Sequence, residues 1–157
     1  MTKILVISDS HGSVKKIEKA LADNFSCKYL IFLGDGTDDI KNAEDLNQNR
    51  IKYVVRGNCD RLDYFNPLLL TANIDGVKFY ITHGHQEKIK EVGTDIIESR
   101  AMSEDCDIAL FGHTHSYANI DFCNLKLLNP GSIRDNNCYL VLTVDNGKLV
   151  DIERKTL

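Results

Sequence analysis

Two imidazoles sit one residue apart in FGHTH (111–115), behind the aliphatic run DIALF (107–111). His113 and His115 there, His83 and His85 in THGH (82–85), and His11 in DSH (9–11) account for all five histidines of the chain. Neutral imidazole offers a nitrogen lone pair to a metal ion, and carboxylates and amides offer oxygens. Such oxygens recur in the same contexts: Asp9 beside His11, Asp35 in GDGTD (34–38), and Asn58 in GNCD (57–60). The set requires no thiolate, which suits borderline divalent ions such as manganese, iron, zinc or nickel rather than calcium or a structural zinc. Asp9, His11, Asp35, Asn58, His83, His113 and His115 are too many for one tetrahedral ion, and natural for two ions sharing a carboxylate. In extended backbone, residues i and i+2 point the same way, so His113 and His115 would leave the chain about 6–7 Å apart. Paired catalytic ions lie about 3.5–4 Å apart, so each imidazole would reach one of them.

The positioning elements are legible as apolar runs. KILVIS (3–8), KYLIFL (28–33) and IKYVV (51–55) read as strands. Between them SVKKIEKALADN (13–24) carries Val14, Ile17 and Leu21 at helical spacing, with Ser13 placed to cap it. A shorter helix is expected from Asp39 to Gln48. This β-α-β-α-β opening predicts a parallel sheet with helices on its faces. LLLTANI (68–74) and VKFYIT (77–82) flank Asp75-Gly76 and read as an antiparallel hairpin. A helix from Thr94 to Ser103 leads to DIALF. YANIDF (117–122), LKLLN (125–129), NCYLVLTV (137–144) and KLVDIER (148–154) read as short antiparallel strands, with Asn146-Gly147 the strongest hairpin signal. The expectation is two packed sheets with helices outside. The polar residues follow the carboxyl ends of five of these strands, where α/β folds gather their binding sites.

Composition narrows the class. At 157 residues, 43% of them hydrophobic and 27% charged, the chain reads as a single globular domain spanning 1–157. Its apolar runs are strand-length, so no membrane span or membrane partner is expected. KILVIS meets Asp9 and His11 at once, unlike a secretory leader, and five cysteines without a CxxC pair fit a reducing compartment, so the location expected is cytoplasmic. A net charge of −4 without a basic stretch disfavours nucleic acid as a partner.

DSH, GDGTD, GNCD, THGH and GHTH (112–115) resemble, in order, the D-x-H, G-D-x-x-D, G-N-H-[DE], central His and G-H-x-H blocks of the calcineurin-like metallophosphoesterases. The short chain and NPGS (129–132) look most like the small single-domain YfcE-like phosphodiesterase subgroup. The resemblance implies an α/β fold, a four-layer α/β/β/α sandwich of two mixed β-sheets flanked by helices. It also implies one ion held by Asp9, His11, Asp35 and His115 and a second by Asp35, Asn58, His83 and His113, with Asp35 bridging. Manganese is favoured, with nickel, iron or zinc as alternatives. Many members carry a histidine where this chain has Cys59, a poor proton donor to an alkoxide near neutral pH. Asp60, which would orient that histidine, lacks an obvious partner in the sequence.

The chemistry implied is hydrolysis of a small-molecule phosphate ester by a metal-bridging hydroxide, with Asp35, Asn58 and His83 at the reacting centre. Two dications, two carboxylates and one hydroxide sum to +1, which a phosphodiester monoanion would neutralise. His85 is a further candidate, facing substrate, supporting a ligand or lying on plain surface; Arg61, next to GNCD, reads as an exposed loop arginine, with contact to a phosphate as the alternative. Alternatives are a phosphomonoesterase, a nuclease, or a non-catalytic metal-binding scaffold, since a retromer subunit sharing the fold serves mainly as a scaffold. The late apolar strands would suit a homo-oligomer, dimer or tetramer.

Overall fold

The computed structural model describes residues 1–157, and the element order is β1 (Thr2–Ile7), α1 (Val14–Asp23), β2 (Tyr29–Phe32), α2 (Thr37–Asn42) and β3 (Ile51–Val54). There follow β4 (Leu69–Ile74), β5 (Val77–Thr82), α3 (Ile89–Val92), α4 (Asp95–Ser103) and β6 (Ile108–Leu110). The chain ends with β7 (Ala118–Phe122), β8 (Leu125–Asn129), α5 (Ile133–Asn136), β9 (Cys138–Asp145) and β10 (Lys148–Thr156). No helix is long and apolar enough to cross a membrane, and all five cysteines are free.

Alternation within β1 sets the layers. Successive side chains of a strand face opposite sides, and Ile4, Leu5, Val6 and Ile7 are all fully buried, so both faces of this strand need cover. Ile4 and Val6 join Ile31, Leu33, Phe79, Ile81, Leu110 and Leu142 in the core between the two sheets. Leu5 and Ile7 pack instead with Ile17, Ala20 and Leu21 of α1, Ile40 of α2 and Ile133 of α5. On the far side, Tyr80, Ala109 and Leu127 pack against Ile97 and Ala101 of α4. The result is the expected α/β/β/α sandwich.

The sheets are ordered β10-β9-β1-β2-β3 and β4-β5-β6-β8-β7. β1, β2 and β3 are parallel, whereas β9 runs antiparallel to β1 and β10 to β9, so the last hairpin completes the first sheet. In the second sheet β5, β6 and β8 are parallel, with β4 and β7 antiparallel at the edges. LKLLN therefore departs from the antiparallel expectation: it pairs with β7 through a tight turn but takes its other neighbour, β6, in parallel. The Asp75-Gly76 and Asn146-Gly147 hairpins are both present, and their turns touch, with the Gly147 amide 2.8 Å from the Asp75 carbonyl.

Two helix expectations change. The second helix is Thr37–Asn42, earlier and shorter than Asp39–Gln48. The stretch beyond it is drawn away by the buried Arg50, whose Nε meets Asp45 at 2.9 Å and whose Nη atoms meet the carbonyls of Leu21, Asn24 and Cys27. Ser13 does precede α1, yet its side chain makes no capping hydrogen bond. α3 and α5 are single turns with too few residues to show a periodicity.

Candidate functional site

The two sheets deliver their parallel strands to one rim. Asp9 and His11 follow β1, Asp35 follows β2, Asn58 and Cys59 follow β3, His83 follows β5, and His113 and His115 follow β6. The backbone turns sharply there: Asp9, His11, Asp35, His113 and His115 all have positive φ, between 39° and 69°. Such values are uncommon for side chains other than glycine, and where they cluster they mark a functional constraint. They also correct the reason given for the FGHTH pair. β6 ends at Leu110, and His113 and His115 lie in a left-handed turn rather than in extended backbone.

The donors fall into groups whose ligand atoms all lie within 4.8 Å of one another: Asp9, His11 and His115; Asp35, His83 and His113; and His11, Asp35 and Cys59. His11 and His115 approach with their Nε2 atoms 3.2 Å apart, and His115 Nε2 is 3.2 Å from Asp9 Oδ1. Donors about 2.0–2.2 Å from one shared ion would stand at such separations. Asp35 Oδ2 lies between the groups, 3.3 Å from His83 Nε2 and 3.6 Å from His11 Nε2.

The atoms facing away from this centre are tied down. Asp9 Oδ2 accepts from Ser8 Oγ at 2.5 Å and from the His113 amide at 3.1 Å. Asp35 Oδ1 accepts from the Cys59 amide at 2.9 Å, and His83 Nδ1 lies 2.7 Å from the Leu33 carbonyl. His115 Nδ1 lies 2.6 Å from Asp135 Oδ2. Two of the atoms facing inward are not. Asp9 Oδ1 and His83 Nε2 are buried without a hydrogen-bond partner, although burying an unpaired polar group costs roughly 1–3 kcal/mol. Donors locked by outer hydrogen bonds and bare on the inside fit divalent cations.

Electrostatics follow from this crowding. Burial alone would lower the basicity of His83, but the Asp35 and Asp9 carboxylates outweigh it and raise its pKa above 6.5. Burial likewise pushes the Asp35 carboxyl upward, and the neighbouring His83, the Cys59 amide and His11 overcome it, leaving the group below the usual carboxylate range. His113 is pushed down to about 4 by burial and by the charge on His83. Burial, then the negative charge of Asp35, raises the Cys59 thiol.

The remaining expected residues are less firmly held. Asn58 is exposed, and its amide meets only Cys59 Sγ, at 3.6 Å. His85 packs its ring 5.4 Å from that of His83, with its buried Nδ1 unpaired, and burial lowers its pKa. Arg61 is exposed and bonds to none of the donors. A concavity of about 600 Å³ does not lie over the donors: Thr37, Lys52, Tyr64 and Phe65 line it, beside the loop after Asp60.

Several supports escaped the sequence reading. Asp60 accepts the backbone amides of Asp35, Gly36, Thr37 and Gly57 at 2.7–3.1 Å, so its partner is the loop itself. In NPGS, Asn129 Nδ2 holds the Gly112 carbonyl at 3.1 Å and Ser132 Oγ holds that of Asp9 at 2.8 Å. Asp135 is twenty residues beyond His115, a separation no local pattern announces.

Comparison with known proteins agrees with this geometry. The profile of the calcineurin-like phosphoesterase superfamily domain matches residues 2–147. The probable metallophosphoesterase YsnB of Bacillus subtilis is 30% identical over 149 residues, covering 91% of this chain and 85% of its own. The phosphodiesterase YfcE of Escherichia coli is 28% identical over 157 residues, covering 85% and 80%. A crystal structure from Streptococcus pneumoniae, described as a predicted phosphoesterase, superposes with a TM-score of 0.82 at 24% identity, covering 99% of this chain and 89% of that one. Vps29 of Entamoeba histolytica, crystallised with zinc, superposes at 0.78 with 20% identity and 98% coverage of each. By the profile match and by YsnB alike, the chain belongs to the calcineurin-like phosphoesterase superfamily.

Proposed function

We propose that this chain is a phosphodiesterase using two divalent ions, one held by Asp9, His11, Asp35 and His115 and the other by Asp35, Asn58, His83 and His113. The observation that carries the reading is the pair of buried, unpartnered atoms, Asp9 Oδ1 in the group with His11 and His115 and His83 Nε2 in the group with Asp35 and His113. Two such ions, held by these residues, would supply Lewis acidity toward phosphoryl oxygens and would lower the pKa of a water toward neutrality. Asp35, between the groups, keeps them at a fixed separation through its Cys59 hydrogen bond. The oxygen and imidazole donors favour manganese, with iron, nickel and zinc as alternatives. A small phosphodiester monoanion suits the modest positive charge of the loaded centre, and relatives named as phosphodiesterases support the same class.

Metal analysis of the purified protein, with assays on aryl phosphodiesters and monoesters with and without manganese, tests the proposal. Manganese-dependent turnover of the diester is expected. A protein that binds no metal, or that binds it and hydrolyses neither class, would leave a non-catalytic module as the better reading.

A further inference from the structure

α5 brings two side chains to the donor rim that belong to no donor group. Ser132 fastens it there, donating to the Asp9 carbonyl at 2.8 Å while accepting the Asp135 amide at 3.0 Å. The Arg134 amide lies 3.4 Å from the same Asp9 carbonyl, and Lys16 Nζ holds the Arg134 carbonyl at 2.6 Å. The two side chains of interest are thus carried on backbone tied to the Asp9 loop and to α1.

The Asp135 carboxylate is divided between two partners. Oδ2 meets His115 Nδ1 at 2.6 Å and Oδ1 meets Arg134 Nε at 2.7 Å. Arg134 uses only that nitrogen; neither Nη atom has a partner, and the side chain is 44% exposed. Exposed pairs of this kind contribute about 0–1 kcal/mol to stability, so stability is a weak reason for the arrangement. Its geometry serves recognition better. A guanidinium anchored through Nε presents two parallel Nη donors, the fork that matches a phosphate. Beyond Asp135, Arg134 feels the Asp9 carboxylate of the first donor group, whose carbonyl its own amide meets at 3.4 Å. Arg61, the guanidinium adjoining GNCD, has no such anchor.

We propose that Arg134 binds the phosphoryl oxygens of the substrate, and that Asp135 is a positioning residue setting both this guanidinium and the His115 ring. The inference rests on the phosphoesterase reading and adds to it the group that recognises the anion. With Nδ1–H given to Asp135, the His115 ring turns its Nε2 lone pair toward Asp9 and His11. One carboxylate thereby fixes a metal donor and a substrate donor in a single frame.

The test uses the full chain loaded with manganese, with inorganic phosphate as the probe. Manganese affinity is read by electron paramagnetic resonance of the free ion, phosphate affinity by calorimetry, and kcat and KM with an aryl diester. Arg134→Gln should weaken phosphate and raise KM by about 10- to 100-fold with manganese affinity unchanged, as expected for a lost charge-assisted hydrogen bond. Arg134→Lys should recover part of the loss, and guards against a glutamine variant that folds poorly. Asp135→Asn should weaken manganese and, at manganese concentrations that saturate the variant, should still weaken phosphate, an effect that loss of His115 orientation alone would not produce. Wild-type phosphate affinity in Arg134→Gln overturns the inference, as does an Asp135→Asn variant impaired only in manganese. A wild-type protein whose phosphate binding depends on Arg134 yet which hydrolyses no ester overturns the proposed function while upholding this one.

Discussion

The Asp60 carboxylate accepts the Asp35 backbone amide at 2.8 Å, and through it the loop after β3 dictates the shape of the loop after β2. Three further amides, from Gly36, Thr37 and Gly57, converge on the same two oxygens. A charged acceptor is worth more than a neutral one, and its removal strands every donor at once. Asp60→Ala should cost about 3 kcal/mol or more in urea denaturation of the metal-free protein, and should weaken manganese binding through Asp35. Asp60→Asn, which keeps one acceptor oxygen, should fall between alanine and wild type.

Gly57 admits no side chain. A Cβ there would stand 2.1 Å from Asp35 Oδ1, a clash that must move the carboxylate that faces both His11 and His83. Gly57→Ala should lower kcat/KM for an aryl diester by about 100-fold, the scale of a 1 Å misplacement. Gly112→Ala should act on the Asp9 donor group, because its Cβ would fall 2.1 Å from Ser8 Oγ and 2.7 Å from Asp9 Oδ2. Titration with manganese should show both variants weakened.

Protons and metal compete for His83. Its folded pKa is raised, so this group stabilises the metal-free protein below 6.5, and that contribution is lost as pH rises through the folded value. His113 works in the opposite sense: depressed to about 4, it contributes above 6.5 and the contribution is lost as pH falls toward 4. These two groups together place a stability maximum near pH 6.5 in the metal-free protein, and manganese should flatten its alkaline flank. Manganese affinity should rise with pH as the His83 proton is expelled, while His113 releases none near neutrality. Calorimetry in buffers of different ionisation enthalpy would count that proton.

Cys59 predicts a dependence on leaving group. Burial and the Asp35 carboxylate keep its thiol protonated and uncharged, so it neither donates readily to an alkoxide nor offers a cationic hydrogen bond. General acid catalysis typically contributes about 10²–10⁴-fold, and without it the rate should fall steeply as the leaving group becomes more basic. A series of substituted phenyl and alkyl phosphodiesters should show this slope, with alkyl esters hydrolysed very slowly.

The strands, both Gly hairpins and the donor residues could be read from the sequence because each depends on local pattern: alternation, turn residues, and polar groups at strand ends. β8 misled because parallel pairing with β6 is a tertiary choice invisible in LKLLN. α2 was overextended because the claim of Arg50 on Asp45 acts across the fold. The joint presence of His113 and His115 at the centre was expected for the wrong local reason, since positive φ replaces the extended geometry. Asp135 went unseen because an isolated Asp in a polar stretch carries no signal until the fold sets it against His115.

Two of the three donor groups draw on both sheets. Asp9 and His11 come from one and His115 from the other; Asp35 faces His83 and His113 in the same way. Filled, such a centre is a rivet through the sandwich at one end, while the facing hairpin turns at Asp75 and Gly147 meet elsewhere. Slippage of one sheet over the other would then be felt as a change in donor spacing. Trimming a distant inter-sheet side chain such as Leu142 should therefore detune the centre without touching a single ligand.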